Sequence, residues 1–148
     1  MTNPRRAPIV LHQASCIAVG GRAVLIEGPP GLGKTSLALM LLDRGATLVG
    51  DDGVELAHRL GHLWAFPPPH TCGKVEIRNV GIITLPAAPA PVALRLILTA
   101  DAPRYVESAP LTELSGAQIP TLMFEHGGAA AAIRAEYALA VHGLPLPH

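Results

Sequence analysis

The residues with the clearest chemistry are Gly28-Pro29-Pro30-Gly31-Leu32-Gly33-Lys34-Thr35, which satisfy every fixed position of the pattern G-x-x-x-x-G-K-[ST]. Glycines at this spacing let the backbone curl so that successive N–H groups face one anion. The pattern has meaning only between a strand and a helix, and both are in place. Arg22-Ala23-Val24-Leu25-Ile26-Glu27 before it contains an apolar run of strand length, and Ser36 to Arg44 after it is rich in Leu, Ala and Met. The helix adds the positive end of its dipole to the loop. Gly28, Pro29, Pro30, Gly31, Leu32, Gly33, Lys34, Thr35 and Ser36 are therefore the candidate nucleotide-binding residues. Lys34 reaches the outer phosphates, and the Thr35 hydroxyl is placed to ligate Mg²⁺. The chemistry implied is the binding of a nucleoside triphosphate.

A phosphate loop alone does not separate a kinase from an ATPase or a GTPase, so the acidic residues have to decide. Asp51 and Asp52 follow Ala46-Thr47-Leu48-Val49-Gly50, the strand that comes after the loop helix. If that strand lies beside the loop strand, its carboxyl end lies over the phosphates. One of the two carboxylates is then placed to accept the proton of an attacking hydroxyl. Glu76 lies on the charged face of the alternating stretch Lys74-Val75-Glu76-Ile77-Arg78 and is a second candidate metal ligand. His12 closes the short apolar run Ile9-Val10-Leu11.

The elements that must position these groups follow from turn chemistry and periodicity. Ser15–Val19 and Arg22–Glu27 flank Gly20-Gly21, a two-residue hairpin signal, so a hairpin precedes the loop. The loop helix runs from Lys34 to Arg44, apolar almost all round and so covered on more than one side; Gly45 fits its left-handed cap. Val54–Arg59 and Leu63–Phe66 flank Leu60-Gly61-His62 as another hairpin, and Gly81–Leu85 is a further strand. A Pro/Ala linker over 86–91 leads to Val92–Leu98, the most strand-like run. Residues 101–120, with Pro103, Pro110 and Pro120, read as loop, and a helix is expected from about Gly128 to His142 with Ile133, Tyr137 and Val141 on one stripe.

At 148 residues the composition is that of one globular domain, 49% hydrophobic and only 15% charged, expected over 9–148 behind a flexible tail at 1–8. Lys plus Arg equals Asp plus Glu, which argues against nucleic acid as a partner. No apolar run approaches the roughly 20 residues of a membrane span, and the N-terminal arginines precede no uninterrupted apolar segment, so a cytoplasmic location is expected. Cys16 and Cys72 form no C-x-x-C arrangement and read as free thiols.

Taken together, His12, the 28–35 loop, Leu48-Val49-Gly50-Asp51-Asp52 and Val75-Glu76-Ile77-Arg78-Asn79-Val80-Gly81-Ile82-Ile83 resemble the catalytic domain of HPr kinase/phosphorylase over residues 9–86. The resemblance implies an α/β P-loop domain with a mixed sheet, related to phosphoenolpyruvate carboxykinase, with the hairpin ahead of the loop strand. It also implies a bacterial, cytoplasmic serine kinase that uses ATP and Mg²⁺ on the small phosphocarrier HPr or a paralogue, often assembled as a hexamer. By matching positions, Lys34 holds the outer phosphates, Thr35 and Glu76 are on Mg²⁺, Asp52 is the base and His12 contributes to catalysis. Asp51 is counted with the metal ligands.

The sequence departs from the family where a Pro-Gly-Arg-Asn stretch is expected and Glu125-His126-Gly127-Gly128 stands instead. The family's separate N-terminal domain and basic C-terminal segment have no counterpart in these residues. Forward kinase activity is therefore expected to outlast the reverse phosphorolysis, which needs more cations in one pocket. Two other readings stay open: a P-loop kinase or ATPase acting on a small molecule, and a non-catalytic nucleotide-responsive module.

Overall fold

A computed structural model describes residues 9–147; the tail expected at 1–8 lies outside them. Its framework is a nine-stranded mixed sheet with two helices on one face. The strands β1 (Val10–His12), β2 (Ser15–Val19) and β3 (Arg22–Glu27) come first, followed by helix α1 (Lys34–Asp43) and strand β4 (Thr47–Gly50). β5 (Val54–Arg59) and β6 (His62–Phe66) form the next hairpin. β7 (Lys74–Ile77) and β8 (Gly81–Thr84) pair with each other as a separate two-stranded sheet. β9 (Ala90–Leu98), β10 (Leu111–Leu114), β11 (Ala117–Phe124) and helix α2 (Ala131–His142) complete the chain.

β9 is the central strand because its two halves have different neighbours. Ala90 and Pro91 pair with β6, whereas Arg95–Leu98 pair in parallel with β11. Its other edge carries β3, also parallel. The remaining order is β1-β5-β6-β9-β3-β2-β4. Parallel β3, β9 and β11 all end on one side of the sheet, which is where a ligand site of an open α/β sheet forms.

Alternation along the central strands fills both faces. Ile17, Val24, Ile26, Leu94 and Leu96 pack under α1 and α2 with Leu37, Leu41 and Leu139. Cys16, Leu25, Val49, Leu56, Leu63 and Val92 build a second core on the opposite face. Burying an aliphatic side chain of this kind contributes about 1.5–3 kcal/mol, so the two layers together supply most of the drive to fold.

Two sequence expectations are corrected. The stretch read as loop up to residue 120 contains β10 and the start of β11, joined by a tight turn at Ser115 (φ 49°) and Gly116 (φ 83°). Two successive left-handed residues make the turn that suits a two-residue hairpin. Pro120 is accommodated because β11 meets β9 only from Thr121 onward, so no ladder bond on that side needs its missing N–H. The linker 86–91 likewise gives up Ala90 and Pro91 to β9.

The second correction concerns α2. Ile133, Tyr137 and Val141 do share a stripe, but it faces solvent, with Tyr137 69% and Val141 70% exposed. The buried face is Ala131, Ala132, Ala135 and Leu139, small residues that let the helix approach the sheet closely.

Candidate active site

The loop leaves β3 at Glu27 and runs through three glycines with left-handed φ: Gly28 at 141°, Gly31 at 84° and Gly33 at 88°. Gly28 also lies against the end of β9, where an added Cβ would come 2.9 Å from the Leu98 carbonyl oxygen. Lys34 Nζ donates to the loop's own Gly28 carbonyl at 2.8 Å and Pro29 carbonyl at 3.4 Å, which holds the ammonium within the loop. Leu37 N–H donates to the Gly33 carbonyl at 3.0 Å, and no side chain caps the helix. The N–H groups of the first turn are therefore free to meet an anion.

Beside this cradle, Asp51 Oδ1 accepts hydrogen bonds from Thr35 Oγ1 at 3.0 Å and from Ser15 Oγ at 3.1 Å. Three elements converge there: the first turn of α1, the start of β2 and the end of β4. The turn that delivers Asp51 is tight, since a side chain at Gly50 would collide with the Gly53 carbonyl. Asp52 is different in kind. It is exposed, takes a left-handed φ of 65°, and makes no side-chain hydrogen bond among the described residues. The strand carrying both is not adjacent to the loop strand as supposed, because β2 lies between them; β4 and β3 nonetheless run in the same direction.

Glu76 sits on β7, exposed, with no hydrogen bond or ion pair among the described residues. The structure does not assemble it with Asp51 and Asp52, and among the described residues no three His, Cys, Asp or Glu side chains form a metal-binding group. The oxygen pair that the fold does assemble is the Thr35 hydroxyl with the Asp51 carboxylate. Hard oxygen donors of this type suit Mg²⁺, which completes its shell with phosphate and water.

His12 belongs to a charged cluster that the sequence did not reveal. Its Nε2 lies 3.1 Å from Glu27 Oε1, within ion-pair distance but too poorly aligned for a hydrogen bond. Arg95 grips the same carboxylate in fork geometry, Nε to Oε2 at 2.7 Å and Nη2 to Oε1 at 2.8 Å, and reaches Thr112 Oγ1 at 2.9 Å. The cluster ties β1, β3, β9 and β10 together at the base of the loop.

Burial alone would raise the Glu27 carboxyl, but the hydrogen bonds of Arg95 and the charges of Arg95 and His12 outweigh it and hold the group at about 2 against an ordinary 4.5. A depressed folded-state value means that the stabilisation is complete above the ordinary carboxylate value and is lost as pH falls from there towards 2. Glu27→Gln is expected to remove about one proton from the slope of stability against pH in that window. Denaturant titrations at several acidic pH values check it; an unchanged slope contradicts the pairing. Next to this carboxylate, burial and then the Glu27 charge push the Cys16 thiol up, far from any nucleophilic role.

A second group missed on the sequence is His126. It follows β11, whose carboxyl end lies on the loop's side of the sheet, and its ring stands against Gly33. Arg134 holds the segment on both sides, Nη2 donating to the Glu125 carbonyl at 2.7 Å and the Gly127 carbonyl at 3.0 Å. Its guanidinium also lies 4.9 Å over the Phe124 ring.

A glycine loop opening a helix at the carboxyl end of parallel strands, on a mixed sheet with a preceding hairpin, defines an α/β P-loop domain. The family model "HPr Serine kinase C-terminal domain" matches residues 6–88, more than half of the chain, and the chain belongs to that family. It is 41% identical over 81 residues to an HPr kinase/phosphorylase of Clostridium tetani and 40% identical over 81 residues to one of Clostridium novyi. Those matches take in 55% of this chain but only 27% and 26% of the relatives, so the likeness spans about a quarter of their length. The structure of the Hpr(Ser) kinase/phosphatase from Coxiella burnetii superposes with a TM-score of 0.79 over 88% of each chain at 24% identity, which establishes a shared fold.

Proposed function

We propose that this chain is the catalytic domain of an ATP- and Mg²⁺-dependent serine kinase whose substrate is HPr or a related small phosphocarrier. The observation that carries the reading is the Thr35–Asp51–Ser15 arrangement at the first turn of the loop helix, with the exposed Asp52 next in the chain. The first-turn N–H groups and Lys34 bind and orient the triphosphate. Thr35 and Asp51 would hold Mg²⁺, which supplies charge neutralisation at the phosphates. Asp52 accepts the proton of the incoming serine hydroxyl at its carboxylate. His12 supports the site through Glu27, and Glu76 would join the ion only if β7 approaches the loop when the complex assembles.

The relatives' name supports HPr as the acceptor, and a bacterial cytoplasm with a homo-oligomer, a hexamer as in the family, is the setting that goes with it. No helix among the described residues is long and apolar enough to cross a membrane. Phosphorolysis is proposed to be weak, because Glu125-His126-Gly127-Gly128 stands where the family carries an arginine, and Arg134 directs its Nη2 at two backbone carbonyls of that segment. Labelled ATP, Mg²⁺ and purified HPr-type carriers provide the test. Label on a carrier serine supports the reading; hydrolysis with no transfer favours a small-molecule kinase or ATPase, and binding with no turnover a regulatory module.

A further inference from the structure

We infer that His126 is a binding residue for the terminal phosphates of the nucleotide, a role that rests on the nucleotide site proposed above. Three observations point to it. First, the ring covers the last glycine of the loop: an added Cβ on Gly33 would come 3.1 Å from His126 Cδ2 and 3.8 Å from both Cγ and Nε2. The Cδ2 edge of the ring faces the loop, with Cγ and Nε2 on either side of it, which brings Nε2 to Gly33, the N-cap residue of α1 and the one before Lys34. Second, Nδ1 of the ring is shut off from solvent and has no hydrogen-bond partner among the described residues. A buried ring nitrogen without a partner costs stability, so the fold keeps this imidazole here at its own expense. Third, the segment is fixed rather than draped over the site. Arg134 bonds the carbonyl on each side of His126, and Ala131 N–H donates to the Gly128 carbonyl at 3.3 Å.

The neighbouring charges fit a donor rather than an acceptor. Lys34 is held within the loop by its carbonyls, Arg134 is committed to the backbone, and Glu125 directs a carbonyl, not its carboxylate, at Arg134. An imidazole N–H at Nε2 adds a further side-chain donor on this edge of the cradle. A contact made through Gly33 and Lys34 falls on the outer phosphates and not on the ribose or base.

The test is a titration of the folded full chain with fluorescent ATP, ADP and AMP analogues, using wild type, His126→Ala, His126→Gln and Lys34→Ala. Loss of one hydrogen bond to a charged group predicts roughly 10-fold weaker ATP binding for His126→Ala, less for ADP, and no change for AMP. His126→Gln, which keeps an N–H donor, is expected to retain part of the affinity, and melting temperatures should stay close to wild type. Equal ATP affinity in His126→Ala and wild type overturns the inference. So does an equal loss for all three nucleotides with a lowered melting temperature, which marks a purely structural residue. If Lys34→Ala weakens ATP while His126→Ala does not, the nucleotide site stands and only the histidine's role fails. If wild type binds none of the three, both fail.

Discussion

Lys34→Ala is expected to weaken nucleotide binding by roughly 10- to 100-fold, the range for losing a charge-assisted hydrogen bond to phosphate. The fold should be untouched. Among the described residues Lys34 Nζ bonds the Gly28 and Pro29 carbonyls, one part-buried and one exposed, so truncation leaves acceptors that water can reach. Its effect should also depend on the phosphate chain, largest for a triphosphate and small for a monophosphate, because a single ammonium acts where charge is densest. Equilibrium binding of labelled nucleotide to the purified variant, with its melting curve recorded beside it, measures both quantities. Unchanged affinity in a folded Lys34→Ala protein would remove the loop from the nucleotide site and the kinase reading with it.

The parts of this molecule that could be read ahead of the structure are those specified by neighbours in sequence. Gly20-Gly21 sets the hairpin between β2 and β3, both residues left-handed in the structure, and the loop pattern sets the start of α1. Asp51 and Asp52 fall where a strand ends because Gly50 and Gly53 bound their turn. The functional contacts that escaped reading join residues far apart. Arg95 interrupts an otherwise apolar run in a central strand, which does signal a buried partner, but nothing local says that the partner is Glu27, 68 positions earlier. His126 meets Gly33 only because β11 lies beside β9 and β9 beside β3. That strand order was hidden in turn by Pro110 and Pro120, which mimic a loop while sitting where no ladder bond needs their N–H. On α2 the apolar stripe misled because alanines, weakly hydrophobic one by one, form the packed face, and the larger side chains face outward.

The two aspartates should separate cleanly by substitution. Asp52→Asn is expected to lower phosphoryl transfer by roughly 10²-fold or more, the usual contribution of a general base, with nucleotide affinity nearly unchanged. Asparagine is the right replacement on backbone grounds. Asp52 has φ 65°, a conformation that Asn tolerates and that Ala would occupy under strain, so the turn survives and only the proton acceptor is lost. Asp51→Asn should behave in the opposite sense. Its Oδ1 accepts from Thr35 and from Ser15, which is 1% exposed, so a change there disturbs the hydroxyl proposed to hold Mg²⁺ at the phosphates. The expected signature is a raised Mg²⁺ requirement and weaker nucleotide binding ahead of any effect on the transfer step. Single-turnover phosphorylation of the carrier at saturating ATP, repeated across Mg²⁺ concentrations, distinguishes the two. If Asp52→Asn transfers at the wild-type rate while Asp51→Asn is dead at every Mg²⁺ concentration, the base is Asp51, and its hydrogen bonds to Ser15 and Thr35 become the means by which it is oriented.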